Sequence, residues 1–216
     1  MNKLLICDLD GTLVNSIGGI ADSVNKTRAG FGFPPLSDQE IMTYVGNGTK
    51  TLMERSCRDV SLPVSLDETV KIMTEHYANE PLSRTTLYPG VKECLQKLQQ
   101  KNWIICIVSN KTYTVSDKII EGLGINCFIT ENIGDGNSFP LKPAPDAIAY
   151  LMSKYDCRRN DTFVAGDNHT DIDAAANAGV RAVFCKYGFG TPSPVNKAFA
   201  EVDSFSEIYD ILTSAQ

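Results

Sequence analysis

The segment from Leu4 to Val14, LLICDLDGTLV, constrains the fold more than any other part of the chain. Its first four residues form a continuously apolar run, which is typical of a strand covered on both faces. Asp8 and Asp10 follow two residues apart, so both carboxylates leave the same side of an extended chain. Gly11 then allows a sharp turn or a close approach of the backbone to a ligand. The segment therefore predicts a buried strand that delivers two acids to one place.

Two neighbouring carboxylates repel each other unless a cation or a shared proton relieves the repulsion. Mg²⁺ suits such a pair because it takes oxygen ligands and keeps waters and phosphate in its coordination shell. A metal-bound Asp8 could attack phosphorus as a nucleophile, and Asp10 could carry a proton for the leaving group. The alternative is an Asp-Gly turn after a strand, with both acids solvated.

The composition is that of a globular protein with a substantial core. The 216 residues, 43% of them hydrophobic, are enough for one domain and a smaller inserted one. No apolar run reaches the roughly 18–20 residues of a membrane span. The predicted first strand occupies the place of a cleaved signal peptide, so cleavage there would destroy the site. A net charge of −6 argues against nucleic-acid binding, and seven scattered cysteines are expected to be reduced thiols. We expect a cytoplasmic protein that binds neither membranes nor nucleic acids.

Residues 15–81 differ in character from the rest of the chain, because they show helical patterns and no convincing strand. Ser37 and Ser65 each precede a glutamate by three residues, the capping-box pattern that begins a helix. The pattern predicts a small all-helical domain at 15–81, inserted into a core made of residues 1–14 and 82–216.

From residue 88 onward, strands and helices alternate, which predicts a parallel sheet covered by helices on both faces. Strands are expected at 104–108, 127–133, 162–165, 181–186 and, at an edge, 200–202. The fold class is therefore α/β.

Chemistry-bearing residues fall at or after the ends of several strands, where open α/β sheets bind their ligands. Ser109 and the amides after it suit phosphate oxygens, although a serine turn is equally expected there. Lys142, stiffened between two prolines, could neutralise a nucleophile and a phosphoryl group, or could be an ordinary surface lysine. Asp167 could complete a metal site. Asp171 could orient a water or a lysine, or could merely cap a helix.

Together these segments resemble the haloacid dehalogenase superfamily of phosphohydrolases. The matching segments, in the order and approximate spacing of that superfamily, are DLDGT (8–12), SN (109–110), the lysine of LKPAP (142) and GDNHTD (166–171). The resemblance implies a Rossmann-like core with a mobile helical cap inserted after the first motif, which fits residues 15–81.

The resemblance also implies roles for the matching residues. Asp8 would be the nucleophile that forms an aspartyl-phosphate, and Asp10 the acid/base. Mg²⁺ would be bound by Asp8, Asp167 and the backbone carbonyl of Asp10. The other positions carried over would hold the phosphoryl group, line the site or support it: Thr12, Ser109, Asn110, Lys142 and Asp171.

Within the superfamily, VGNG (45–48), YPGV (88–91) and the SNK form of the second motif look most like the phosphoglycolate phosphatase branch. Asn47 is accordingly a substrate-binding candidate. Lys50 and Arg55 could receive a substrate carboxylate, or could be solvated helix charges.

We therefore expect a Mg²⁺-dependent phosphatase for a small phosphorylated metabolite, with phosphoglycolate as the first candidate, acting as a monomer or homodimer. One alternative is a phosphosugar mutase, similar to β-phosphoglucomutase, that uses the same intermediate. The other is a non-catalytic, phosphate-sensing interaction protein on the same fold.

Overall fold

The computed structural model describes residues 2–214 as alternating strands and helices. The strands are β1 (Asn2–Cys7), β2 (Val14–Asn15), β3 (Thr86–Leu87), β4 (Trp103–Thr112), β5 (Glu131–Asp135), β6 (Cys157–Gly166), β7 (Arg181–Cys185) and β8 (Ala200–Val202). The α-helices are α1 (Ile17–Gly30), α2 (Asp38–Met42), α3 (Thr49–Ser56), α4 (Leu66–Asn79), α5 (Val91–Gln100), α6 (Tyr113–Gly122), α7 (Asp146–Lys154), α8 (His169–Ala178) and α9 (Ile208–Ser214).

Six of the strands form one parallel sheet, in the order β5-β4-β1-β6-β7-β8. β1 lies in its interior, between β4 and β6, and its apolar run is buried on both faces. Leu5 packs into the apolar cluster that includes α5, α6 and α9, whereas Leu4 packs into the cluster that includes α7 and α8. The predicted α/β fold with a doubly covered parallel sheet is confirmed.

The helices α1 to α4 leave the sheet and pack on one another, α1 against α2 and α4, and α3 against α4. They lie between β2 and β3, which pair antiparallel with Val14 opposite Leu87. This two-stranded ribbon holds together the outgoing and returning chain at the base of the helices. All four helices fall within the predicted insert, and the bounds of a cap domain at 15–81 stay a prediction.

Three predicted strands have clearly different limits in the structure, and one of them, expected at 162–165, begins at Cys157. The strand expected at 127–133 begins only at Glu131, because Asn126–Phe128 form a 3-10 turn after the left-handed Gly124. β4 runs on to Thr112 instead of ending near Val108, and its pairing with β5 shifts in register between these two residues. Ser109 therefore lies within the last part of β4. Across residues 2–214, no helix is long and apolar enough to cross a membrane.

Candidate active site

The carboxyl ends of β1, β4 and β6 bring the predicted residues of the first, second and fourth segments together. Asp8 directly follows β1, and its backbone N–H donates to the carbonyl of Ala165 at 2.9 Å. Asp167 directly follows β6, whereas Ser109 lies in β4 on the other side of β1. Parallel strands end on the same edge of a sheet, so the three residues share one cleft.

Lys142 reaches this cleft from the loop before α7 and binds two of its acids. Its Nζ lies 3.0 Å from Asp8 Oδ1 and 2.6 Å from Asp171 Oδ1, and its side chain is only 3% exposed. Burial lowers the pKa of Lys142, but Asp171 and Asp8 more than offset this and hold it above its usual value. The lysine therefore stays charged and can offset the negative charge of the two acids.

Asp171 both contacts a lysine and caps a helix, which are two of the roles that the sequence left open. Its Oδ1 accepts from Lys142, and its Oδ2 accepts from the backbone N–H of Asn168 at the start of α8. Burial raises the pKa of Asp171 to about 6, and Lys142 opposes that rise. The residue thus caps α8 and orients the lysine at the same time.

Asn110 fixes the backbone of Lys142 rather than presenting a free amide to the cleft. Its Nδ2 donates to the carbonyl of Lys142 at 3.0 Å, and its Oδ1 accepts from the Lys142 N–H at 2.8 Å. The same Nδ2 lies 3.0 Å from the carbonyl of Gly46, in the loop between α2 and α3. Asn110 therefore ties the lysine loop and the helical insert to β4.

Asp167 is enclosed by backbone groups and by Thr12. Its Oδ2 accepts from the N–H groups of Phe189 and Gly190 at 3.0 and 2.7 Å, and its Oδ1 accepts from the Thr12 hydroxyl at 3.2 Å. A Cβ on Gly11 would lie 2.0 Å from Asp167 Oδ2, so only glycine allows this approach. Burial raises the pKa of Asp167 to about 8, with a further contribution from nearby acids.

The donor set fits a hard divalent cation. Asp8, Asp167 and Asp171 each offer one carboxylate oxygen, and these oxygens lie within 4.8 Å of one another. Asp8 Oδ1 is buried, and the ammonium of Lys142, 3.0 Å away, is its ion-pair partner. Three acids share the single buried ammonium of Lys142, and such crowded carboxylates favour a further cation, for which oxygen ligands suit Mg²⁺. The residues could therefore hold the metal that the resemblance implies.

The side chain of Asp10 is not part of that cluster and is held by two other residues. Ser16 Oγ donates to Asp10 Oδ1 at 2.6 Å, and Lys111 Nζ donates to Asp10 Oδ2 at 2.9 Å. Sequence reasoning missed both partners. Lys111 stands two residues after Ser109, so strand alternation places the two on one side of β4, which was a usable signal. Ser16 lies just before α1, and no comparable pattern marks it.

A pocket opens between these acids and the helical insert. Its lining includes Asp8, Asp10, Ser109, Asn110, Lys111 and Asp167 on the sheet side, and Ile20, Val45, Gly46, Gly48, Thr49, Leu52, Met73 and Tyr77 on the insert side. Both apolar and polar side chains therefore face any molecule bound beside Asp8 and Asp10.

The three candidates around the VGNG loop do not line this pocket. Lys50 pairs with Asp67 at 2.7 Å, and its side chain is 66% exposed, as expected of a solvated helix charge. Arg55 binds the carbonyl of Tyr44 and the side chain of Asn47, at 3.5 and 3.4 Å. The structure thus turns Lys50, Arg55 and Asn47 away from the acids, and only the neighbouring Gly46, Gly48 and Thr49 reach the pocket.

Comparison with known proteins places the chain in a family. A family model described as haloacid dehalogenase-like hydrolase matches residues 5–185. The chain is 31% identical over 219 residues to a phosphoglycolate phosphatase of Vibrio parahaemolyticus, covering 97% of this chain and 96% of the relative. It is 32% identical to a phosphoglycolate phosphatase of Haemophilus influenzae, covering 97% and 98%.

A solved structure shows the same fold. The crystal structure of a predicted phosphoglycolate phosphatase from Haemophilus somnus aligns with a TM-score of 0.90 and 31% identity, covering 97% of both chains. The resemblance seen in the four sequence segments is thereby confirmed. The chain belongs to the haloacid dehalogenase-like hydrolase family.

Proposed function

We propose that this enzyme is a Mg²⁺-dependent phosphatase that hydrolyses a small phosphomonoester through an aspartyl-phosphate on Asp8, with 2-phosphoglycolate as the first candidate substrate. The observation that carries the proposal is the arrangement around Asp8. Its carboxylate lines a pocket, and its buried Oδ1 lies 3.0 Å from the buried ammonium of Lys142. An acid positioned in this way can act as a nucleophile.

In the first step, a carboxylate oxygen of Asp8 attacks phosphorus while the bond from phosphorus to the ester oxygen breaks. Asp10 delivers a proton to that departing oxygen, and Ser16 and Lys111 hold its carboxyl group in place. In the second step, Asp10 takes a proton from a water molecule that attacks the acyl-phosphate. Inorganic phosphate leaves, and Asp8 is restored as a carboxylate.

In both steps, Ser109 and Lys142 stabilise the phosphoryl group. The Ser109 Oγ accepts from the N–H of Lys111 at 3.3 Å, so its own proton remains free to donate to a phosphate oxygen. Lys142 offsets the negative charge that gathers when a phosphoryl group meets Asp8. Mg²⁺, when bound by Asp8, Asp167 and the carbonyl of Asp10, supplies further charge neutralisation and orients the phosphoryl group.

The choice of phosphoglycolate rests on the relatives that carry that name and on the mixed lining of the pocket. A release assay for inorganic phosphate, over a panel of small phosphate esters with Mg²⁺ or with EDTA, tests it. Phosphoglycolate should be hydrolysed fastest, and EDTA should stop the reaction. Net isomerisation of hexose phosphates without phosphate release would indicate a mutase instead, and no turnover of any ester would indicate a non-catalytic protein.

The variant Asp8→Asn should release no phosphate from the best ester while keeping the fold. Asp67→Asn makes the same carboxyl-to-amide change at a side chain that is 80% exposed and outside the pocket, and serves as the control.

A further inference from the structure

We propose that Lys111 determines substrate specificity by binding the second anionic group of the substrate, with the hydroxyl of Tyr77 as a second donor. The proposal rests on the phosphatase function proposed above and adds the residues that would recognise the carboxylate.

The charged side chains that line the pocket point to one residue that could bind a second anionic group. Within the part of the chain that the structure describes, Lys111 is the only lysine or arginine lining the pocket. The other charged lining residues are Asp8, Asp10 and Asp167. The helical insert contributes apolar groups, glycines and hydroxyls to the lining but no cation, since Lys50 and Arg55 are turned elsewhere. A second negative charge on the substrate therefore has only Lys111 to meet it.

Lys111 has the geometry for a second anion. Its side chain is 6% exposed, and Nζ lies 2.9 Å from Asp10 Oδ2 and 4.0 Å from the centre of the Tyr77 ring. Nζ donates to both oxygens of Asp10, at 3.1 Å for Oδ1 and 2.9 Å for Oδ2, and an ammonium group has three donors, so one donor is left for a substrate carboxylate. Asp10 also keeps its hydrogen bond from Ser16, so its position does not depend on Lys111 alone.

Tyr77 offers a donor that the folded protein leaves unused. The residue is 3% exposed, and its buried hydroxyl donates to no acceptor within residues 2–214, although Lys111 and Thr85 lie beside its oxygen. Burial raises the pKa of this hydroxyl, which therefore keeps its proton. A buried hydroxyl that donates to nothing costs free energy, and an acceptor bound in the pocket beside Lys111 would remove that cost.

The position of Lys111 also limits the length of the substrate. Asp10 must reach the ester oxygen to protonate it, and Lys111 is in direct contact with Asp10. The anionic group held by Lys111 must then lie close to the ester oxygen. A carboxylate separated from that oxygen by a single carbon satisfies this condition, which is the arrangement in a 2-phosphooxy acid such as phosphoglycolate.

The test compares 2-phosphoglycolate with its neutral carboxamide, which has nearly the same shape but no second charge. The wild-type enzyme should show a kcat/KM about tenfold to a hundredfold higher for the acid. Lys111→Met should reduce this ratio to about one, mainly by raising KM for the acid, whereas Tyr77→Phe should reduce it by about threefold. Lys50→Met removes a cation outside the pocket and should leave the ratio unchanged.

Two outcomes would overturn the proposal while the phosphatase function stands. One is an equal loss of kcat/KM on both esters in Lys111→Met, which would mean that Lys111 only supports Asp10. The other is a wild-type enzyme that hydrolyses both esters equally well.

If the wild-type enzyme hydrolysed no ester, the proposed function would fail, and binding of two phosphonates would decide the role of Lys111 separately. Tighter binding of 3-phosphonopropionate than of propylphosphonate, lost in Lys111→Met, would support that role. Equal binding of the two phosphonates would overturn it.

Discussion

The Nζ atom of Lys142 lies 2.6 Å from the Oδ1 atom of Asp171, and neither side chain is more than 3% exposed. The same ammonium lies 3.0 Å from Asp8. A buried ion pair is costly to break, because removal of one partner leaves the other charge uncompensated. The pair therefore links the stability of the fold to the charge balance at the proposed nucleophile.

Replacement of Lys142 by methionine should harm both stability and activity. Without the ammonium, Asp8 and Asp171 are left as neighbouring acids, so the free energy of unfolding should fall by about 3–5 kcal/mol. The kcat should fall by roughly a hundredfold to a thousandfold. Urea unfolding and phosphate release measure the two effects. Lys154→Met, which breaks the partly exposed ion pair with Glu131, should lower the free energy of unfolding far less, because solvent screens that pair. Equal free energies of unfolding for the two variants would contradict a stabilising role for the buried Lys142 ion pairs.

Loss of the Ser16 hydroxyl should slow catalysis more than it weakens binding. Ser16 Oγ holds Asp10 Oδ1 at 2.6 Å, so Ser16→Ala should lower kcat by about tenfold with little change in KM. Steady-state kinetics at saturating substrate measure this effect. Ser23→Ala removes a buried hydroxyl from α1, the helix that Ser16 precedes, where it donates to the Gly19 carbonyl, and is the control. If both variants turned over equally fast, Ser16 would have no positioning role.

The approach of Gly11 to Asp167 predicts a large cost for one added methyl group. Gly11 has φ +83°, and its new Cβ would lie 2.0 Å from Asp167 Oδ2. Gly11→Ala should therefore displace Asp167 and reduce both stability and activity. Gly32→Ala measures the cost of the backbone conformation alone, because Gly32 has φ +77° and a Cβ added there would meet no other side chain or backbone atom within 4 Å. It should cost only about 1–2 kcal/mol. Thermal unfolding of the two variants should show the larger loss at Gly11, and equal losses would speak against a tight contact at Asp167.

Mg²⁺ should stabilise the protein through the acid cluster. At a concentration about a hundred times its Kd, a bound ion adds about 2.7 kcal/mol, or roughly 5–10 °C in Tm for a chain of this size. EDTA should remove the gain, and Asp167→Asn should largely abolish it. Asp67→Asn should keep the full shift in Tm. A shift of wild-type size in Asp167→Asn would place the ion elsewhere.

The sequence predicted the core of the site because its signals are local. The apolar run before Asp8 and the short strand before Asp167 each indicated a strand that ends at an acid, and parallel topology brings those ends together. The end of β4 was harder to predict, because its irregular pairing with β5 extends the strand past Ser109. A pattern of apolar residues in the sequence does not indicate that extension.

The surroundings of Asp10 depend on contacts between distant parts of the chain. Strand alternation relates Lys111 to Ser109, but its contacts with Asp10 and with the ring of Tyr77 appear only once β1, β4 and α4 are packed together. Lys50 and Arg55 were the more visible cations near the VGNG loop, yet local partners hold them outside the pocket. Helical spacing shows which residues lie on a helix, but the packing of α3 against its neighbours decides which of them reach the pocket.

Covalent labelling of Asp8 tests the central claim most directly. The wild-type enzyme, mixed with a ³²P-labelled substrate and quenched in acid within one turnover, should carry label on the peptide that contains Asp8. Hydroxylamine should release that label, and Asp8→Asn should show neither label nor turnover. Full phosphate release by Asp8→Asn, or label on a different residue of the wild-type enzyme, would contradict the account.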